Sequence, residues 1–183
     1  MSKEEAVQKL QDEIKKCSLC FTAERKKCLL GHGNISPRVM CVGEAPTLHL
    51  PAGQINIVFG NKSRPFYERF LAGIGETYES VWTTNCIKCA MVNEQLGDSR
   101  KCDALLDAEM LIIDPQYVVA FGNLACKIIA GGGPLDGGLV IKNGRRIVRM
   151  PHPMLAVYNP SKADDWDRLT QKVKDELEKK VWF

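Results

Sequence analysis

Four cysteines have the type and spacing of ligands. Cys17 and Cys20 form a C-x-x-C near the start, and Cys89 and Cys102 lie far downstream on either side of a loop. Thiolates from two such segments point to a metal or an iron–sulfur cluster. Four thiolates suit zinc equally well, and spacing alone does not separate the two. A redox dithiol is another use of C-x-x-C, but Cys17 falls between a helix and a loop rather than at a strand–helix junction. Cys28 is the one rival ligand. Cys41 and Cys126 sit in apolar runs, and Cys86 alternates with Asn85 and Ile87 in an extended stretch, so these three read as core.

A second set of residues carries different chemistry. Glu44 lies in Val42-Gly43-Glu44-Ala45-Pro46, Asn85 ends the run Val81 to Asn85, and His152 sits in Pro151-His152-Pro153. A carboxylate, a carboxamide with both donor and acceptor, and an imidazole form three walls of one pocket if the fold gathers them. The plain alternatives are a solvated carboxylate, a turn-capping asparagine and a surface histidine.

The elements needed to gather them are legible. Residues 4–16 predict an amphipathic helix with Ala6, Leu10 and Ile14 on one face. Arg38–Val42, Val81–Asn85 and Tyr117–Phe121 read as buried strands, and Pro65–Ile74 and Ser99–Ile113 as helices. Asn123 is placed to cap a helix that stops at Gly131-Gly132-Gly133. Asn143-Gly144 marks a hairpin whose returning strand ends at Met150. Ser161, with Asp164 three residues on, reads as the cap of a last helix. Alternating strands and helices imply a mostly parallel sheet covered on both faces. Ligands bind such sheets at the carboxyl ends of the strands, where Glu44, Asn85, Gly122 and His152 all fall.

Composition narrows the class. With 183 residues, 45% hydrophobic and 26% charged, the chain suits one domain, 1–183, with a substantial core. The formal net charge of +3 permits a polyanionic partner without arguing for one. No window holds the roughly 20 apolar residues of a membrane span. The charged N-terminus is unlike a signal peptide, so the expected compartment is the cytoplasm, where thiols stay reduced. Nothing demands more than a monomer.

Taken in order, these segments resemble the family 4 uracil-DNA glycosylases, the iron–sulfur branch of that superfamily. The likeness runs from Cys17 and Cys20 through Val-Gly-Glu-Ala-Pro at 42–46 and Thr84-Asn85-Cys86-Ile87-Lys88-Cys89. It continues through Cys102 and Asp114 to Gly122, then His152-Pro153. The resemblance implies a three-layer α/β/α sandwich, a [4Fe–4S] cluster on Cys17, Cys20, Cys89 and Cys102, and uracil-containing DNA as partner. The chain departs from the family at Thr47, at Leu48-His49-Leu50 where an acidic pair is usual, and at Ala90-Met91-Val92. Those departures touch base range and rate. Hypoxanthine or xanthine removal, or binding without catalysis, are the alternative readings.

Base excision assigns roles within the resemblance. The nucleotide is flipped from the stack at a cost of about a few kcal/mol. Asn85 would read the uracil edge, and His152 would donate to O2 of the departing base. Glu44 would orient water or stabilise the positive sugar. Gly43 and Ala45 would border the base. Arg64-Pro65-Phe66 is similar to the family's R-P-F, yet aligning residues 67–71 with the family's helix leaves Phe59 to stack on the base. Met154 or Leu155 would wedge into the base stack. Lys62, Arg64, Lys142, Arg145, Arg146 and Lys162 are candidate phosphate contacts, and Ser161 a candidate anion site.

Overall fold

Val39–Gly43, Trp82–Asn85 and Tyr117–Phe121 are buried at every residue, as strands covered on both faces must be. The computed structural model describes residues 1–19, 27–46, 60, 62–90 and 102–179. Strands are numbered β1 (Lys27–Cys28), β2 (His32–Gly33), β3 (Val39–Gly43), β4 (Trp82–Asn85), β5 (Cys89–Ala90), β6 (Tyr117–Phe121), β7 (Leu139–Lys142) and β8 (Arg145–Met150). Helices are α1 (Lys3–Lys16), α2 (Arg64–Gly73), α3 (Asp103–Ile113), α4 (Asn123–Ala125, continued as a π turn to Ala130), α5 (Met154–Tyr158) and α6 (Ala163–Glu178).

The main sheet has the order β2-β4-β3-β6-β8-β7. Its four inner strands run parallel, and the edge strands β2 and β7 are antiparallel to their neighbours. Register aligns Gly43 with Asn85 and Phe121 with Met150, so the carboxyl ends of the parallel strands share one edge. Strand periodicity divides the core. Val39 and Cys41 face Tyr67, Phe70, Trp166 and Val173 of α2 and α6. Met40 and Val42 face Val7, Leu106, Met110 and Ile113 of α1 and α3. The result is the expected α/β/α sandwich with a mostly parallel sheet. The hairpin is also as expected, with Asn143 and Gly144 both at positive φ.

Details differ from the sequence reading. The buried stripe of α1 is Val7, Leu10 and Ile14, one position on from Ala6. Gly122, not Asn123, caps α4, because the chain leaves β6 at φ +91°, which glycine alone adopts freely. Ser161 caps no helix. Pro160–Lys162 form a 3₁₀ turn that delays α6, and the Ser161 hydroxyl donates to Asn159 Oδ1 at 2.6 Å. This displaces Ser161 from the anion-binding position the sequence suggested. The short strands β1, β2 and β5 and helix α5 carry no periodic signal long enough to read.

Beneath β4 lies a buried ion pair. Lys88 and Glu109 are 1% and 2% exposed. The Lys88 ammonium donates to Glu109 Oε2 and to Thr84 Oγ1, and Trp82 Nε1 donates to Glu109 Oε1 at 2.9 Å. A side chain at Gly31 would overlap Glu109 Oε1 and the Trp82 ring, so glycine lets the backbone cross there. This network ties the segment between Asn85 and Cys89 to the middle of α3. Glu109→Gln leaves the buried ammonium without its counter-charge and is expected to cost about 3–5 kcal/mol. Urea denaturation of the variant against wild type measures it.

Candidate active site

Two backbone bonds lock the turns that carry the site. Cys86 N–H donates to Gly43 O and Ile87 N–H to Glu44 O, each at 2.9 Å. The turn after β3 is thereby fixed to the turn after β4. Glu44 is half-buried, and its Oε1 accepts from Leu124 N–H at 2.9 Å. The carboxylate thus sits at the first turn of α4, where exposed N–H groups favour negative charge. A Cβ at Gly122 would overlap Glu44 Oε1, so Gly122 is needed both for its φ and for this approach. Ala45 is half-buried and Pro46 buried beside it.

Asn85 is 1% exposed, and neither Oδ1 nor Nδ2 has a hydrogen-bond partner among the described residues. Leaving a buried polar group unsatisfied costs roughly 1–3 kcal/mol. Its donor and its acceptor are thus both unused among the described residues, at the carboxyl edge of a parallel sheet, where such folds bind ligands. It is not the turn-capping asparagine of the plain reading.

His152 follows β8 and is half-buried. Its Nδ1 accepts from Met154 N–H at 3.2 Å, so the neutral ring carries its proton on Nε2. Burial pushes its pKa below 6.5, while the nearby Glu44 charge opposes the shift. The ring is therefore held neutral at pH 7, with its proton on Nε2. Protonating Nδ1 would set two N–H donors against each other. The acid limb of kcat/KM is accordingly expected below pH 6.5, with the rate falling as pH drops through the depressed value. A pH–rate profile with its acid limb above that value would contradict the assignment.

Among the candidates, then, Gly43, Glu44, Ala45, Asn85 and His152 meet at one sheet edge. Phe59 lies outside the described residues, as do Cys20 and the 47–50 segment. Phe66 packs edge-on to Trp166 at 6.4 Å, within the α2–α6 layer. Of the basic candidates, Arg64 pairs with Glu68 at 2.7 Å and Lys162 with Asp165 at 2.9 Å. Leu155 is exposed on α5, beside the His152 turn. The sequence did not reveal the Leu124 amide or the Lys88–Glu109 pair. The first had a signal, a glycine between strand and helix. The second had none, because 21 residues separate the partners.

Cys17 caps the C-terminus of α1, Cys102 sits at the N-cap of α3 and Cys89 lies in β5. Cys89 and Cys102 are 7% and 5% exposed. Among the described residues no three Cys, His, Asp or Glu side chains are gathered closely enough to hold a metal ion, and Cys20 lies outside that set. The donor chemistry fits a thiolate-held group, since these side chains are soft and Cys89 and Cys102 are covered. Cys41 and Cys86 are true core thiols, each pushed up to about 12 by burial, and Cys126 to about 11.

The sequence model of the Uracil DNA glycosylase superfamily matches residues 30–178, and the chain belongs to that superfamily. Its relatives point to one branch. A type-4 uracil-DNA glycosylase of Thermotoga maritima is 26% identical, the alignment covering all of this chain and 96% of that protein. Those of Saccharolobus solfataricus and Archaeoglobus fulgidus are each 25% identical, over 93% and 92% of this chain and 86% and 92% of theirs.

Proposed function

We propose that this chain hydrolyses the N-glycosidic bond of uracil in DNA, acting as one glycosylase domain that needs no second copy. The observation that carries the reading is the buried Asn85 carboxamide, without a protein partner among the described residues, beside Glu44 and His152. The family membership and the type-4 relatives supply the substrate class.

A uracil flipped into this edge meets Asn85. Its Nδ2–H donates to O4 and its Oδ1 accepts from N3–H; cytosine offers the opposite pattern. As the C1′–N1 bond breaks, the base departs with the electron pair and charge gathers on O2. His152 Nε2–H is the donor for that charge, and a neutral imidazole already in place needs no reorganisation. Glu44, fixed by Leu124 N–H, faces the positive sugar and orients the water whose oxygen bonds to C1′. Gly43 and Ala45 border the base, and Phe59 is the proposed stacking face.

Cys17, Cys20, Cys89 and Cys102 are the proposed ligands of a [4Fe–4S] cluster, which would tie the end of α1, β5 and the start of α3 together. Anaerobically purified protein should be brown, with about four iron and four sulfide per chain. Stoichiometric zinc without iron, from iron-replete anaerobic growth, would overturn the cluster. The activity is tested by incubating the protein with uracil-containing oligonucleotides and identifying free uracil and an abasic strand.

A further inference from the structure

Cys28 has no place in the proposed ligand set, yet it lies against one of those ligands, Cys89. Strands β1 and β5 pair antiparallel with Cys28 directly opposite Cys89. Leu29 N–H donates to Lys88 O at 2.7 Å in the same register. The 29/88 pair is therefore a hydrogen-bonded one and 28/89 a non-hydrogen-bonded one, the kind in which side chains come closest, with Cα atoms about 4.5 Å apart. That spacing falls inside the disulfide window of roughly 4.4–6.8 Å. The two Sγ atoms are 2.7 Å apart. Closing to a bond of about 2.05 Å needs a side-chain adjustment of well under 1 Å and no change of register.

We propose that Cys28 and Cys89 form a reversible cross-strand disulfide when Cys89 is not engaged as a cluster ligand. Disulfide and cluster then compete for one sulfur, so oxidation of the cluster-free chain blocks reloading until the bond is reduced. A low-molecular-weight disulfide supplies the oxidising equivalents. One protein thiolate attacks it and releases one small thiol; the second protein thiolate attacks the mixed disulfide and releases the other. The two electrons and two protons lost by the protein leave with the two small thiols. The bond would close across 61 residues that include Glu44 and Asn85. The disulfide rests on strand register and the approach of the two Sγ atoms; its competition with the cluster rests on the ligand set proposed above.

The test uses the full chain, stripped of iron under reducing anaerobic conditions and then exposed to oxidised glutathione. Trypsin releases residues 28–38 and 89–100 as peptides with one cysteine each, so their linkage is read directly by non-reducing mass spectrometry. The 28–38/89–100 pair should be the main linked species, vanish in Cys28→Ser and revert with dithiothreitol. Iron and sulfide loading of the oxidised chain should be lost and then restored by dithiothreitol, whereas Cys28→Ser should load fully with or without the oxidant. Pairing of Cys89 with Cys17, Cys20 or Cys102 instead, or no linkage at all, would overturn the disulfide. Loss of iron in freshly purified Cys28→Ser would also overturn it, by making Cys28 a ligand. Linkage at the same rate in iron-loaded and iron-free protein would leave the disulfide standing and remove Cys89 from the ligand set.

Discussion

Replacing His152 by alanine is expected to slow single-turnover uracil release by roughly two to three orders of magnitude, the usual cost of one preorganised donor to a developing anion. DNA affinity should change little, because the bond strengthens only as charge reaches the base. The expectation follows from the tautomer. Met154 N–H occupies Nδ1 at 3.2 Å, burial keeps the ring neutral, and Nε2 carries the proton. Glutamine at this position presents an N–H without the same fixed orientation and should recover only part of the loss. The measurement is base release with enzyme in excess, beside DNA binding at fixed salt. A His152→Ala protein that cuts at the wild-type rate would remove the donor from the mechanism.

Asn85→Asp is expected to reduce uracil release by roughly a hundredfold or more, since a good bidentate base contact carries about 1–3 kcal/mol and the carboxylate also sets negative charge against O4. The same change should admit cytosine, whose N4 amine donates to a carboxylate. Asn85→Ala should lose uracil activity without gaining cytosine. Asn85→Ala removes a buried carboxamide that lacks a partner among the described residues, so it should not destabilise the fold as an ordinary core-polar deletion would, whereas Asn85→Asp places a carboxylate in the same buried site and is expected to cost stability. Thermal denaturation run beside the activity assay separates lost chemistry from lost protein. Full uracil activity in folded Asn85→Ala would show that another group reads the base.

The frame was legible because its signals are local. Tyr117–Phe121 is an uninterrupted apolar run, and Asn143-Gly144 is a turn whose positive φ angles restrict the residues that fit. Glu44, Asn85 and His152 could be placed together because each follows a parallel strand, and parallel strands share one carboxyl edge. What escaped is set by tertiary contact. Glu44 is held by an amide 80 residues away, and Lys88 by a carboxylate from α3. The opposition of Cys28 and Cys89 depends on a two-residue strand pair, too short for periodicity to mark. Helix starts were misplaced where glycine or proline overrode the side-chain cap, at Gly122 and at Pro160.

The most direct test of the central claim is single-turnover base release by wild-type protein from matched oligonucleotides carrying uracil, thymine, cytosine, hypoxanthine or xanthine, in single and double strands. Free uracil should appear, leaving an abasic strand, with thymine and cytosine untouched and any purine release far slower. Tight binding to uracil-DNA with no base released, or preferential release of hypoxanthine or xanthine, would contradict the account.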